Sequence, residues 1–104
     1  MTTFDDREQA FEAKFAHDAE MTFRAEARRN RLFGQWAAGL LGRDAAGTEA
    51  YVAEVMKADF QEAGHEDVLR KVIADLAGRA EEQQVRAKFG ELLSVAKGQL
   101  ASEA

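Results

Sequence analysis

Three phenylalanines, Phe4, Phe11 and Phe15, are spaced so that at roughly 100° per residue they fall within about 40° of one another on a helix. Glu8 lies near the edge of the same face. The chemistry open to such a stripe is burial against an apolar surface, and the polar residues around it, Asp5, Asp6, Arg7, Glu8, Glu12 and Lys14, can flank that contact or keep an exposed helix in solution. Elsewhere no nucleophile stands beside a base. Cysteine is absent, and the two histidines, His17 and His65, are far apart in sequence and lack companions for a metal site. Gly34 and Gly39 have the gap of a phosphate loop, but Leu40 and Leu41 stand where the lysine and hydroxyl residue belong. Neither catalysis nor a metal or other cofactor is expected. The phenylalanine stripe reads first as a partner-binding face, with self-association and folding back as a fifth core segment as the alternatives.

A stripe of this kind must be carried by a helix, and the sequence is helix-compatible, without proline or glycine, from Thr3 to Phe33. It runs on to Gly39, Leu40, Leu41 and Gly42. A helix from Thr3 to Leu41 would be about 58 Å long at 1.5 Å per residue, and the later segments look less than half that. One end must overhang. Thr3 can cap the start, with Asp6 three residues on and Asp5 favourable at the positive end of the dipole. The phenylalanine phase fails at Asp18, and a new stripe takes over through Met21, Ala25, Leu32 and Trp36, joined by Phe33, Ala37, Leu40 and Leu41. This places the boundary between arm and domain at residues 17–20, with an arm over 1–19 and a four-helix bundle over 20–104. An isolated stretch of about 17 residues is a borderline helix in water. Residues 1–17 are therefore expected to be frayed when free and helical on a partner.

Beyond Gly42, Thr48 can cap a second helix with Tyr51, Val52, Val55, Met56 and Phe60 on one face, ending at Gly64. His65 at a helix end opens a third, with Val68, Leu69, Val72, Ile73 and Leu76, and Gly78 stops it. A fourth begins at Ala80 or Glu81 and presents Val85, Phe89, Leu92, Leu93, Ala96 and Leu100. Trp36 reads as a core residue. With 104 residues, 46% of them hydrophobic, and no proline, the chain suits one all-α four-helix bundle with a mobile, conditionally helical arm.

The net charge of -5 argues against a nucleic-acid binder. It is unevenly spread: residues 1–22 carry six carboxylates against Arg7 and Lys14, whereas Arg24, Arg28, Arg29 and Arg31 face only Glu26 within 23–31. This arginine collar can form pairs such as Glu20 with Arg24 and cover apolar surface with its stems; otherwise its crowded cations call for acidic residues from another helix or for a ligand. A small nucleotide- or anion-binding module is the alternative it leaves open. His17, at the arm boundary, titrates near neutrality and suits a pH sensor. No apolar run reaches membrane-spanning length and no secretory signal is visible, so a soluble cytoplasmic protein without membrane insertion, monomeric when free, is expected.

The string TTFDDREQAFEAKFAHDAE, followed by FRAEARRNRLFGQWAAGLLG, resembles the ζ subunit family of alphaproteobacterial F-type ATP synthases. FDDRE, ARRN and GxWAA carry the resemblance most specifically; the C-terminal helices match mainly in pattern. The resemblance implies a non-catalytic inhibitor of the F1-ATPase, held at the inner membrane only through F1. It implies an arm that becomes a helix wedged between the catalytic α and β subunits and the γ rotor shaft, with Phe4, Phe11 and Phe15 as anchors. Asp5, Asp6, Arg7, Glu8, Glu12 and Lys14 would then be flanking contacts, and the bundle a second contact or steric block.

Overall fold

Among the described residues, good helix formers, apolar periodicity and the absence of proline resolve into four helices: α1 (Thr3–Leu40), α2 (Ala45–Ala58), α3 (Glu66–Asp75) and α4 (Glu82–Glu103). The structure, a computed structural model, describes residues 3–59 and 64–103, with side chains from Asp18 onward. Among the described residues there is no strand. The expected cap at Thr3 and the expected core residue Phe60 fall outside the described side chains.

Helix α1 has 38 residues, about 57 Å of helix, in a molecule 62 Å long and 27 Å by 22 Å across. The other helices cover only part of it. Both α2 and α4 pack along α1, while α3 bridges α2 and α4 and touches α1 least.

Of the glycines expected to stop helices, Gly42 ends α1 directly, whereas α2 and α3 end at Ala58 and Asp75, before Gly64 and Gly78. Gly42 takes φ 72°, which lets Arg43 N–H reach Ala38 O at 3.0 Å and Gly42 N–H reach Gly39 O at 3.1 Å, the paired bonds of a Schellman end. Arg79, from the turn before α4, donates to Leu40 O at 3.0 Å and brings a cation to the negative end of α1. Gly64 and Gly78 follow α2 and α3 with φ 90° and 84°.

The start of α2 corrects the sequence reading. Asp44, not Thr48, is the cap: its carboxylate accepts from Gly47 N–H at 2.7 Å, while Thr48 N–H donates to Asp44 O at 2.8 Å inside the first turn. Aspartate caps as well as threonine does, so the earlier of two competent residues took the position. Helix α2 also ends earlier than expected, at Ala58 with Asp59 as its C-cap. Helix α4 starts at Glu82, where the Gln84 side chain returns to accept from Glu81 N–H at 3.0 Å.

The core gathers Phe33 and Ala37 from α1, Tyr51 and Val55 from α2, Val68, Val72 and Leu76 from α3 and its end, and Val85 and Leu92 from α4. Phe33 is fully buried, stacked on Trp36 with centroids 5.8 Å apart and edge-on to Phe89 at 5.0 Å. Trp36 packs half-buried against this core, as its place in the stripe requires. Gly34 sets the approach of α1 to α2. A Cβ there would lie 3.2 Å from both Cα and Cγ2 of Val52, tighter than ordinary contact, so a side chain at this position would oblige Val52 to yield.

Candidate functional site

The arm residues singled out by the sequence, Phe4, Asp5, Asp6, Arg7, Glu8, Phe11, Glu12, Lys14 and Phe15, lie in the first half of α1, and their side chains fall outside the described residues, as does His17. Backbone helix passes through residues 17–20 without a break. Described packing against α1 begins at Asp18, which with Met21, Thr22 and Ala25 lines a groove against Lys97 and Leu100 of α4. The last turns of α4 thus pack beside this stretch of α1.

At that level the arginine collar splits into two kinds of residue. Arg24 pairs with Glu20 at 2.6 Å, as expected one turn away, and both remain exposed. Arg28 meets Glu103 of α4 through two contacts, Nη2 to Oε2 at 2.8 Å and a shorter one between Nη1 and Oε1. The carboxylate that the crowded arginines called for comes from another helix. This contact holds the Glu103 carboxyl below the usual carboxylate range and raises the Arg28 guanidinium. Arg24, Arg28 and Arg31 border an open cleft of about 590 Å³ between α1, α2 and α4, whose wall also carries Glu49 and Glu103. Phe23, 68% exposed, stands beside it, and sequence reasoning had not marked it.

Arg29 is a correction to the collar: it is not a surface cation but a buried one, 3% exposed. Its guanidinium lies 4.0 Å from the centre of the Phe89 ring, donates from Nε to Asn30 Oδ1 at 3.2 Å, and places Nη2 3.0 Å from His65 Nδ1. Burial pushes the guanidinium below its ordinary value, opposed by the nearby charges of Glu26 and Asp59. Asn30 is fully buried, and its Nδ2 has no partner among the described residues. The ARRN string thus places Ala27 and Arg28 half-buried beside the cleft and Arg29 and Asn30 inside. Glu26 and Arg29, three residues apart, share a face of α1. That spacing was the available sign; His65, 36 residues on, could be joined to it only by the fold.

Two further contacts tie the bundle. Tyr51 is buried and donates to Asp75 Oδ2 at 2.8 Å, and burial with this hydrogen bond raises its phenol well above the ordinary range. Arg86 of α4 grips Glu66 of α3 at 3.1 and 3.3 Å, which lowers the Glu66 carboxyl. Among the described residues no group of His, Asp or Glu is arranged to hold a metal, and no helix is long and apolar enough to cross a membrane.

Residues 1–99 match the family model described as ATPase inhibitor subunit zeta. No curated protein matches the sequence. A solved structure determined by solution NMR is 57% identical, covers 81% of this chain and 99% of its own, and superposes with a TM-score of 0.74.

Proposed function

From the premise that this chain belongs to the ATPase inhibitor subunit zeta family, we propose that it restrains ATP hydrolysis by inserting its N-terminal arm into F1. The family match carries the reading, because it spans the arm together with nearly all of the bundle. Residues 1–19 act as the inhibitory arm and 20–104 as the bundle that bears it. Phe4, Phe11 and Phe15 are the apolar anchors in a groove formed where the catalytic α and β subunits meet the γ shaft. Asp5, Asp6, Arg7, Glu8, Glu12 and Lys14 make the flanking polar contacts. The protein performs no catalysis of its own and resides in the cytoplasm, peripheral to the inner membrane through F1.

Physical chemistry favours an arm joined to α1 over a free peptide. Starting a helix is the costly step, and a segment continuous with a packed helix only has to propagate one. Binding energy from the phenylalanines then meets a smaller ordering cost. The collar's arginines, by contrast, are engaged by Glu20 and Glu103 or buried at Arg29, which leaves the nucleotide-binding alternative with little free cationic surface beyond Arg31.

The test is ATP hydrolysis by cognate F1, titrated with the full chain and with a chain lacking residues 1–17. Inhibition by the first alone is the expected outcome. Equal inhibition by both would move the site to the bundle, and inhibition by neither would overturn the reading.

A further inference from the structure

His65 occupies the residue before α3, yet its side chain makes no capping hydrogen bond there. The ring turns instead toward three charged groups. Nδ1 lies 3.0 Å from Arg29 Nη2 and 3.3 Å from Asp59 Oδ1, and Nε2 lies 3.5 Å from Glu26 Oε1. Phe89 closes the fourth side, with ring centroids 6.0 Å apart. The two partners of Nδ1 make opposite demands. Arg29 has only donors and needs a lone pair on that nitrogen, whereas the Asp59 carboxylate only accepts and needs a proton there.

A neutral ring with its proton on Nε2 accepts from Arg29 and directs N–H toward Glu26. The imidazolium has protons on both nitrogens: Nδ1–H then donates to Asp59, Nε2–H still faces Glu26, and Arg29 loses its acceptor and gains a like-charged neighbour. We propose that His65 Nδ1 is a proton-operated switch that transfers the α3 entrance from Arg29 on α1 to Asp59 at the end of α2. Every element packed around the ring takes part. Helix α1 supplies Glu26 and Arg29, and the end of α2 supplies Asp59. Helix α3 contributes Glu66, which is engaged by Arg86 of α4, and α4 itself presents the uncharged Phe89 ring.

The consequence is a change in what holds Arg29. In the protonated state it keeps Asn30 Oδ1, the Phe89 face and the charges of Glu26 and Asp59, but it no longer binds α3 to α1. The switch lies within the described bundle, between α1, the end of α2 and the start of α3, and it stands independently of where the arm acts.

The test is an NMR titration of the ¹⁵N-labelled full chain from about pH 8 to about pH 5, the range in which histidine changes charge. His65 Nδ1 is expected to pass from acceptor to protonated nitrogen, with the Arg29 Nε–H and Phe89 ring resonances moving on the same curve. In His65→Gln the Arg29 response should be lost, while His17 still titrates in the same sample. An Arg29 resonance that stays fixed while His65 titrates, or that moves equally in His65→Gln, would overturn the proposal.

Discussion

The two ends of the described bundle are held by different physics. Around Gly42 the contacts are apolar and close: Phe33 buried between Trp36 and Phe89, Ala37 and Ala38 fully covered, and Gly34 against the backbone of Val52. Around Asp18 to Asn30 charged contacts are added to the buried Ala25: Arg24 with Glu20 and Arg28 with Glu103 at the surface, and Arg29 buried among His65, Glu26 and the Phe89 ring. Apolar burial carries most of a small domain's stability, whereas exposed ion pairs contribute little and respond to pH and salt. The first end carries the core; the second ties α1 to α3 and α4 through charged side chains.

The largest test of that contrast is Phe33→Ala, which empties a fully buried aromatic site and should cost about 3–5 kcal/mol in denaturant unfolding. A loss below 1 kcal/mol on the same scale would mean that the Gly42 end is not the anchor. Next comes Gly34→Leu. With Val52 Cα only 3.2 Å from the first added carbon, the backbones must separate, at about 1–3 kcal/mol, and shifts in the α1 and α2 amides should report it. Tyr51→Phe, which removes the hydroxyl donated to Asp75, should cost about 1 kcal/mol.

The same tyrosine, the sole one in the chain, gives an optical reading of the alkaline side. Its folded ionisation lies above the ordinary phenol value, so the stability it contributes is complete below about pH 10 and is lost as pH rises toward the folded value. Phenolate absorbance should appear late and coincide with unfolding. The smallest effect belongs to the ionic end. Glu103 has a lowered folded value because Arg28 binds its anion, so its contribution is present above about pH 4.3 and disappears as pH falls through the folded value. Glu103→Gln should leave the neutral melting temperature nearly unchanged and flatten its decline in acid. A large drop at neutral pH would erase the distinction between the ends.

The apolar end was legible because its signals are local. Glycine at Gly42, Gly64 and Gly78 marks backbone that must take positive φ, and the stripe through Phe33, Trp36 and Ala37 repeats at helical spacing. The ionic end was legible only where partners lie one turn apart, as with Glu20 and Arg24. Arg29 read as surface because arginine is almost never fully buried unless paired, and its partners His65 and Phe89 come from other helices. Asp44 and Thr48 offered equivalent oxygens four residues apart, so chemistry alone did not rank them. The role proposed for the arm rests on resemblance, since a binding face gains its meaning from a surface on another molecule; the family match itself gives only an inhibitor subunit.

An unbroken α1 makes the arm and the bundle parts of one screw. Each added residue at the junction turns everything before it by about 100° and advances it by about 1.5 Å. One alanine inserted after Ala19 would swing the Phe4, Phe11 and Phe15 face a quarter turn around the bundle, while four would return it to within about 40° of its original azimuth, some 6 Å farther out. Inhibition that falls with one insertion and recovers with four would have the signature of a threaded shaft, in which rotational phase matters more than reach.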